Sequence, residues 1–180
     1  MTYATAPGQS ASECLMHVIQ GTHLVSDDPA VVMTTILGSC VATCLWDPVA
    51  RVGGMNHFLL AKEPESGAAN HRYGSHAMEL LINDLLKTGA LRSRLKAKLF
   101  GGAMMQNSFG KIGRANSEFA LQFLTDEDIP IVSQSLLGTQ ARRIRFSPVD
   151  GQAQQRLVAE TDIPPIHLPK PPATDDITFF

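Results

Sequence analysis

Cys40 and His57 are the two side chains whose types and spacing best suit covalent chemistry in this chain. Cys40 lies in a Gly-Ser-Cys turn between two apolar segments, and His57 lies on the next segment that has the composition of a strand. A thiol is an effective nucleophile when its pKa is lowered or when a base takes its proton, and an imidazole is the usual base. Because a strand, a turn and a returning strand can bring the two side chains together, we expect a Cys/His site for acyl transfer.

Such a site also needs a group that orients the imidazole and donors for the developing oxyanion. Thr34 and Thr35, on the strand that leads into the turn, are candidates to accept a hydrogen bond from the imidazole. Asn56 is adjacent to His57 in sequence but should point to the opposite face of a strand. The backbone N–H groups of residues 38–40 are the expected oxyanion donors, because glycine allows a sharp turn that leaves amides unpaired.

Two other interpretations of Cys40 stay open on the residues alone. A cysteine in an apolar strand is most often a small buried hydrophobic residue, and this is the expected role of Cys14 and Cys44. A metal site made of Cys40, Cys44 and His57 is the second alternative, but it is one ligand short of the four that structural zinc takes. We therefore expect no metal and no organic cofactor.

The charge and hydropathy of the 180 residues exclude several classes of protein. The net charge of −2 predicts none of the basic surface that nucleic-acid binding requires. No segment approaches the roughly 18 uninterrupted apolar residues of a membrane helix, and the N-terminus lacks the pattern of a secretory signal. Three cysteines, an odd number, argue against a disulfide framework and favour the reducing cytoplasm.

The elements that must position Cys40 and His57 are mostly strands. Apolar segments bounded by turn residues predict strands over residues 14–20, 31–36, 41–46, 52–60, 96–100, 129–134, 142–148 and 155–160. Amphipathic stretches predict two helices, one running from a cap at Ser75 to Gly89 and one over residues 112–124. The polar segment 62–72, between the strand at 52–60 and the first helix, predicts a loop. Strand groups interrupted by two helices indicate a mixed α+β fold.

The ends of the chain have a different composition from its centre. Residues 1–13 are small and polar and predict a disordered N-terminus, whereas residues 164–180 are rich in proline and predict an extended tail. We expect a single domain over residues 14–163.

Four stretches together resemble the CheD family of chemoreceptor glutamine deamidases. They are LGSCVATCLWDPVARVGGMNHFLL at residues 37–60, RYGSHAMELLINDLLKTGA at 72–90, LFGGAMM at 99–105 and IGRANSE at 112–118. Their combination in this order is specific, although no single stretch would be. One region departs from the family pattern: Thr139 and Ala141 replace glycines in LLGTQARRIRF, which leaves partner contacts there open.

The resemblance implies a function and a fold. Members deamidate glutamines of methyl-accepting chemotaxis receptors to glutamates, and their nucleophile, histidine and threonine fall on Cys40, His57 and Thr34. Their fold is that of deamidating toxins, with mixed β-sheets packed as a sandwich and helices outside in α/β/β/α order. Some members also bind CheC-type phosphatases, which compete with the receptors.

Two other functions are compatible with the same residues. The chain could be a regulatory binding module for a CheC-type phosphatase or a receptor, but a pure adaptor has no reason to hold all three site residues. A transglutaminase or thiol protease would use the same acyl-enzyme, and only the resemblance separates it from a deamidase.

Overall fold

Two β-sheets and two helices form the part of the chain that a computed structural model describes, namely residues 13–60, 67–104 and 110–158. The strands are β1 Cys14–His17, β2 His23–Ser26, β3 Val31–Leu37, β4 Val41–Asp47, β5 Val52–Phe58, β6 Lys96–Gly101, β7 Ile131–Leu136, β8 Ala141–Phe146 and β9 Ala153–Val158. The helices are α1 Gly67–Lys87 and α2 Gly110–Asp126, and a short 3-10 turn covers Arg92–Arg94.

The two sheets pack face to face. One has the strand order β1-β3-β8-β9 and the other the order β2-β5-β4-β6-β7. Most neighbouring strands are antiparallel, while β1 with β3 and β6 with β7 are parallel. A buried apolar cluster lies between the sheets, with Met33 and Phe146 from the first sheet and Cys44 and Met55 from the second. The mixed α+β class and the sandwich are therefore confirmed.

Both helices cover the outer face of the five-stranded sheet. Met78 and Leu85 of α1 and Phe123 of α2 share one buried cluster with Val41 and Phe58 of that sheet. Because the helices cover one face of this sheet and the other sheet covers its second face, all seven residues of β4 are buried. Among the described residues the layers are thus helix, sheet and sheet, and no helix forms the fourth layer of the expected α/β/β/α order.

The helix α1 begins earlier than its sequence predicted. Residues 67–72, expected in a loop, are helical, and Ser75 lies inside the helix instead of capping it. At Gly74 the helix approaches α2 so closely that a Cβ atom would come within 2.6 Å of the Phe119 ring. Glycine is unfavourable inside a helix, so the sequence predicts that Gly74 ends a loop. In the structure it lies within α1, because only a glycine fits at this close approach to α2.

The strand β2 was missed altogether. It has only four residues, and it pairs antiparallel with β5, His23 lying opposite Asn56. The other predicted strands and α2 are confirmed with ends that shift by a few residues, most at β1, which ends at His17. Residues 1–12 of the predicted disordered N-terminus and the whole of the predicted tail at 164–180 lie outside the described residues. Neither described helix is long and apolar enough to cross a bilayer.

Candidate active site

The Gly-Ser-Cys turn connects β3 to β4 across the two sheets, and its carbonyl groups are held in place. Ala103 N donates to Gly38 O at 2.8 Å, and Gly102 N donates to Cys40 O at 2.7 Å. Just before these residues, Gly101 has a φ of +113°, and a Cβ there would lie 2.1 Å from Cys40 O. The end of β6 therefore fits against Cys40 only because this position is a glycine.

Asn116 of α2 holds the third carbonyl of the turn. Its Nδ2 donates to Ser39 O at 2.8 Å, and its Oδ1 accepts from Leu60 N, also at 2.8 Å. The side chain is fully buried and ties the cysteine turn to the segment that follows the histidine strand. Sequence reasoning gave it no role, because nothing local distinguishes an asparagine inside a helix that serves a distant turn.

His57 and Cys40 lie on the same face of the five-stranded sheet. His57 of β5 is opposite Ala42 of β4, and Cys40 precedes Ala42 by two positions. Residues in that diagonal relation lie about 7–8 Å apart at the backbone, which long side chains can bridge. Each side chain is only 7% exposed, so both lie at the rim of the buried layer between the sheets.

The imidazole ring of His57 is oriented through Nδ1. This atom lies 2.9 Å from Thr35 Oγ1 and 3.4 Å from Val18 O. Because a carbonyl oxygen can only accept, the contact with Val18 requires a proton on Nδ1 and leaves the lone pair on Nε2. Nε2 is buried and has no hydrogen-bond partner among the described residues, so it is available as a base.

Burial keeps the Cys40 thiol and the His57 imidazole neutral near pH 7. It lowers the pKa of His57 to about 4, although the hydrogen bond to Val18 O acts in the opposite direction. It raises the pKa of the Cys40 thiol to about 12, against the opposing effect of the residue's own backbone N–H. The resting site therefore contains a thiol and a neutral imidazole instead of an ion pair, and the thiol needs a base at the moment of reaction.

The threonine beside His57 is Thr35, and the contact expected from Thr34 is absent. Thr34 Oγ1 donates to Ile144 O of β8 at 2.7 Å. Thr35 shares the inward parity of Met33 and Leu37, which belong to the cluster between the sheets, whereas Thr34 points to the other face. His57 faces the same interior, so the strand register brings Thr35 to the ring.

The environment of Cys44 does not favour a metal site. Cys44 is fully buried in the cluster between the sheets, as expected, and burial raises the pKa of its thiol far above the usual range. Within the described part of the chain, no three His, Cys, Asp or Glu side chains are grouped closely enough to hold a metal ion. Cys14, expected to be buried, is exposed on β1.

The loop that departs from the family pattern is attached to the end of β6 near the site. Leu137 N donates to Gly101 O at 2.9 Å, and Met104 N donates to Gly138 O at 2.7 Å. The buried Arg142 of β8 donates to Leu137 O and to the backbone and hydroxyl oxygens of Ser135. The segment containing Thr139 is therefore held by an arginine that no carboxylate in the described residues pairs with.

Comparison with known proteins identifies the family. The model of the family described as CheD chemotactic sensory transduction matches residues 59–157. A protein of Agrobacterium fabrum named "Probable chemoreceptor glutamine deamidase CheD" is 54% identical over 174 residues, which are 92% of this chain and 96% of that protein. A protein of Cereibacter sphaeroides with the same name is 54% identical over 155 residues, 86% of this chain and 78% of that protein. One solved structure, Neisseria meningitidis protein NMB0706, covers 70% of this chain and 64% of that chain at 11% identity, with a TM-score of 0.46.

More than half of the aligned residues are thus identical over most of the length of both partners, and the family model spans more than half of the chain. This chain belongs to the CheD family.

Proposed function

We propose that this chain is a protein-glutamine deamidase that converts glutamines of methyl-accepting chemotaxis receptors to glutamates. Membership of a family whose relatives are named chemoreceptor glutamine deamidases supports the substrate. The observation that carries the chemistry is the buried, unpartnered Nε2 of His57 on the same face as Cys40. The relatives' names do not favour a regulatory binding module, a transglutaminase or a thiol protease.

The reaction proceeds through an acyl-enzyme. His57 Nε2 takes the Cys40 proton as the sulfur attacks the γ-carboxamide carbon. The resulting imidazolium then protonates the amide nitrogen, the C–N bond breaks and ammonia leaves. Water, deprotonated by the same nitrogen, hydrolyses the thioester to glutamate. The Cys40 backbone N–H, next to the sulfur along the chain, is the donor that would stabilise the oxyanion. Each step uses groups of the protein, the substrate and water, so no cofactor enters.

Thr35 is the positioning residue for His57 in this mechanism. Its hydroxyl and Val18 O keep the proton on Nδ1, which fixes the tautomer that leaves Nε2 basic. Because threonine is neutral, it aligns the ring and supports the imidazolium less strongly than a carboxylate would.

The experiment is mass spectrometry of a receptor cytoplasmic fragment incubated with the protein. We expect the mass gain of amide-to-acid conversion on specific glutamines with the wild type and none with Cys40→Ala. The exposed Cys14 provides the matched control, because Cys14→Ala removes a thiol outside the site and should leave the conversion unchanged. Conversion by Cys40→Ala at the wild-type rate would refute the assignment of Cys40 as the nucleophile. If a primary amine added to the assay became joined to the fragment, the activity would be transglutamination.

The location and a second partner follow from the same proposal. Because the modified receptor segments are cytoplasmic, the protein acts in the cytoplasm. A CheC-type phosphatase would compete with the receptor for the same surface. Adding such a phosphatase to the deamidation assay should slow conversion and raise the apparent KM without lowering kcat.

A further inference from the structure

The Cys40 thiol contacts a glutamine of its own chain. Sγ lies 3.5 Å from Oε1 of Gln20, within the range of a hydrogen bond that the thiol donates to the amide oxygen. A glutamine carboxamide is also the group that a glutamine deamidase attacks. The resting nucleophile is therefore in contact with the same chemical group that its proposed substrate carries.

No hydrogen bond joins the Cys40 thiol to His57 Nε2. While the Cys40 S–H donates to Gln20, His57 Nε2 on the same face has no partner among the described residues. A buried acceptor without a hydrogen bond is unfavourable by about 1–3 kcal/mol, so a nearby donor would be expected to satisfy it. The Cys40 thiol donates to Gln20 instead.

The backbone of Gln20 is fixed in a turn, and its side chain is exposed. Thr22 N donates to Ile19 O at 3.1 Å and Gly21 has a φ of +83°, which together define a type II turn with Gln20 at its second position. Gly21 N also donates to His57 O at 2.7 Å, which fastens the turn to the histidine strand. Gln20 itself is exposed to solvent.

We propose that the Gln20 side chain occupies the subsite for the substrate carboxamide and keeps the Cys40 thiol away from His57 until a substrate glutamine displaces it. The proposal rests on the deamidase function proposed above. An exposed side chain held by one weak sulfur contact is easily displaced, whereas an oxyanion donor would need to be locked in place beforehand. When Gln20 swings out, Nε2 of His57 becomes the acceptor for the thiol proton.

The first test measures the accessibility of the thiol and needs no receptor. In a Cys14→Ser background, which removes the exposed thiol, iodoacetamide should alkylate Cys40 about two- to tenfold faster in Gln20→Ala than in the parent, the factor expected for one lost hydrogen bond. Gln20→Met keeps the length of the side chain without its carbonyl and should give the same increase. The pH midpoint of alkylation should fall in both variants.

The matched control is Gln122→Ala, which removes an exposed glutamine of α2 that bonds only Asp126 among the described residues. It should leave alkylation unchanged. A Gln20→Met variant that alkylates at the parent rate would overturn the proposal, because steric cover and not the hydrogen bond would then explain any effect of alanine. Conversion of Gln20 to glutamate in the wild type would also overturn it, since the residue would then be attacked instead of held.

The second test is kinetic. On a receptor fragment, Gln20→Ala should lower KM about two- to tenfold without lowering kcat, because a built-in competitor has been removed. A lower kcat at unchanged KM would overturn the proposal and would place Gln20 in the chemical step. If the wild type failed to deamidate any fragment, the substrate assignment would fall, while the alkylation result would still decide whether Gln20 holds the thiol.

Discussion

Replacing the two adjacent threonines in turn separates the orienting role from a structural one. Thr35→Val and Thr34→Val each remove a hydroxyl and keep the branched shape of the side chain. Thr35 Oγ1 is 2.9 Å from His57 Nδ1, whereas Thr34 Oγ1 donates to Ile144 O at 2.7 Å. We expect Thr35→Val to lower kcat and Thr34→Val to lower stability.

The magnitude follows from the charge that His57 acquires during the reaction. A hydrogen bond from a charged group contributes about 1.5–3 kcal/mol, which corresponds to roughly 10- to 150-fold in rate. Val18 O remains as a second acceptor in Thr35→Val and preserves the tautomer, so the loss should lie in the lower part of that range, about 10- to 50-fold. Thr34→Val should lower the free energy of unfolding by about 1 kcal/mol and change kcat less than about twofold.

The assay is steady-state deamidation of one receptor fragment, followed by mass spectrometry, with urea unfolding measured on the same preparations. Thr35→Ser retains the hydroxyl and is the matched control, so it should keep most of the wild-type kcat. If Thr34→Val were the more damaging to kcat and Thr35→Val were near wild type, the β3 register described above would be wrong and the third role would belong to Thr34.

Three further predictions concern the candidate site and the opposite end of β4. Cys40→Ala and His57→Ala should each abolish deamidation in a folded protein, because removing one member of a cooperating catalytic unit removes nearly the whole rate enhancement. Turnover above a few per cent of the wild-type rate in either variant would contradict the mechanism. Because the pKa of His57 falls from 6.5 in the unfolded chain to about 4 in the folded one, only the unfolded chain gains a proton between these values. The free energy of unfolding should therefore fall by up to about 3 kcal/mol as the pH is lowered through this window, and urea titrations of His57→Gln should show a smaller fall. Asp47 is fully buried and pairs with Arg94 at 2.8 Å, so Asp47→Ala should lower the free energy of unfolding by roughly 3 kcal/mol. Asp84 is partly exposed, and Asp84→Ala should lower it by less than about 1 kcal/mol. Equal losses in urea unfolding would show that burial does not set the size of the effect.

Local patterns in the sequence were sufficient for most elements but not for their packing. The amphipathic core of α1 and the apolar runs of β3, β4 and β5 could be predicted from sequence. Burial on one face leaves a periodic apolar pattern, and burial on both faces leaves a continuous apolar run. The strand β2 has only four residues and is too short to show such a pattern. Its hydrogen bonds to β5, which define it as a strand, form only in the folded protein. That both helices share one sheet depends on which apolar faces meet, and no single segment contains that information.

The site divides in the same way. Cys40 and His57 can be proposed from sequence, because a cysteine in a glycine turn followed by a strand histidine is a local arrangement of groups that can react. Thr34 and Thr35 are identical in type and adjacent, so only the face that β3 turns toward the second sheet decides which one meets the imidazole. Gln20 and Asn116 reach the cysteine turn from distant segments through single hydrogen bonds. The sequence by itself determined the candidate pair, and the tertiary structure decided which groups contact it, because those contacts form only when the sheets and helices pack.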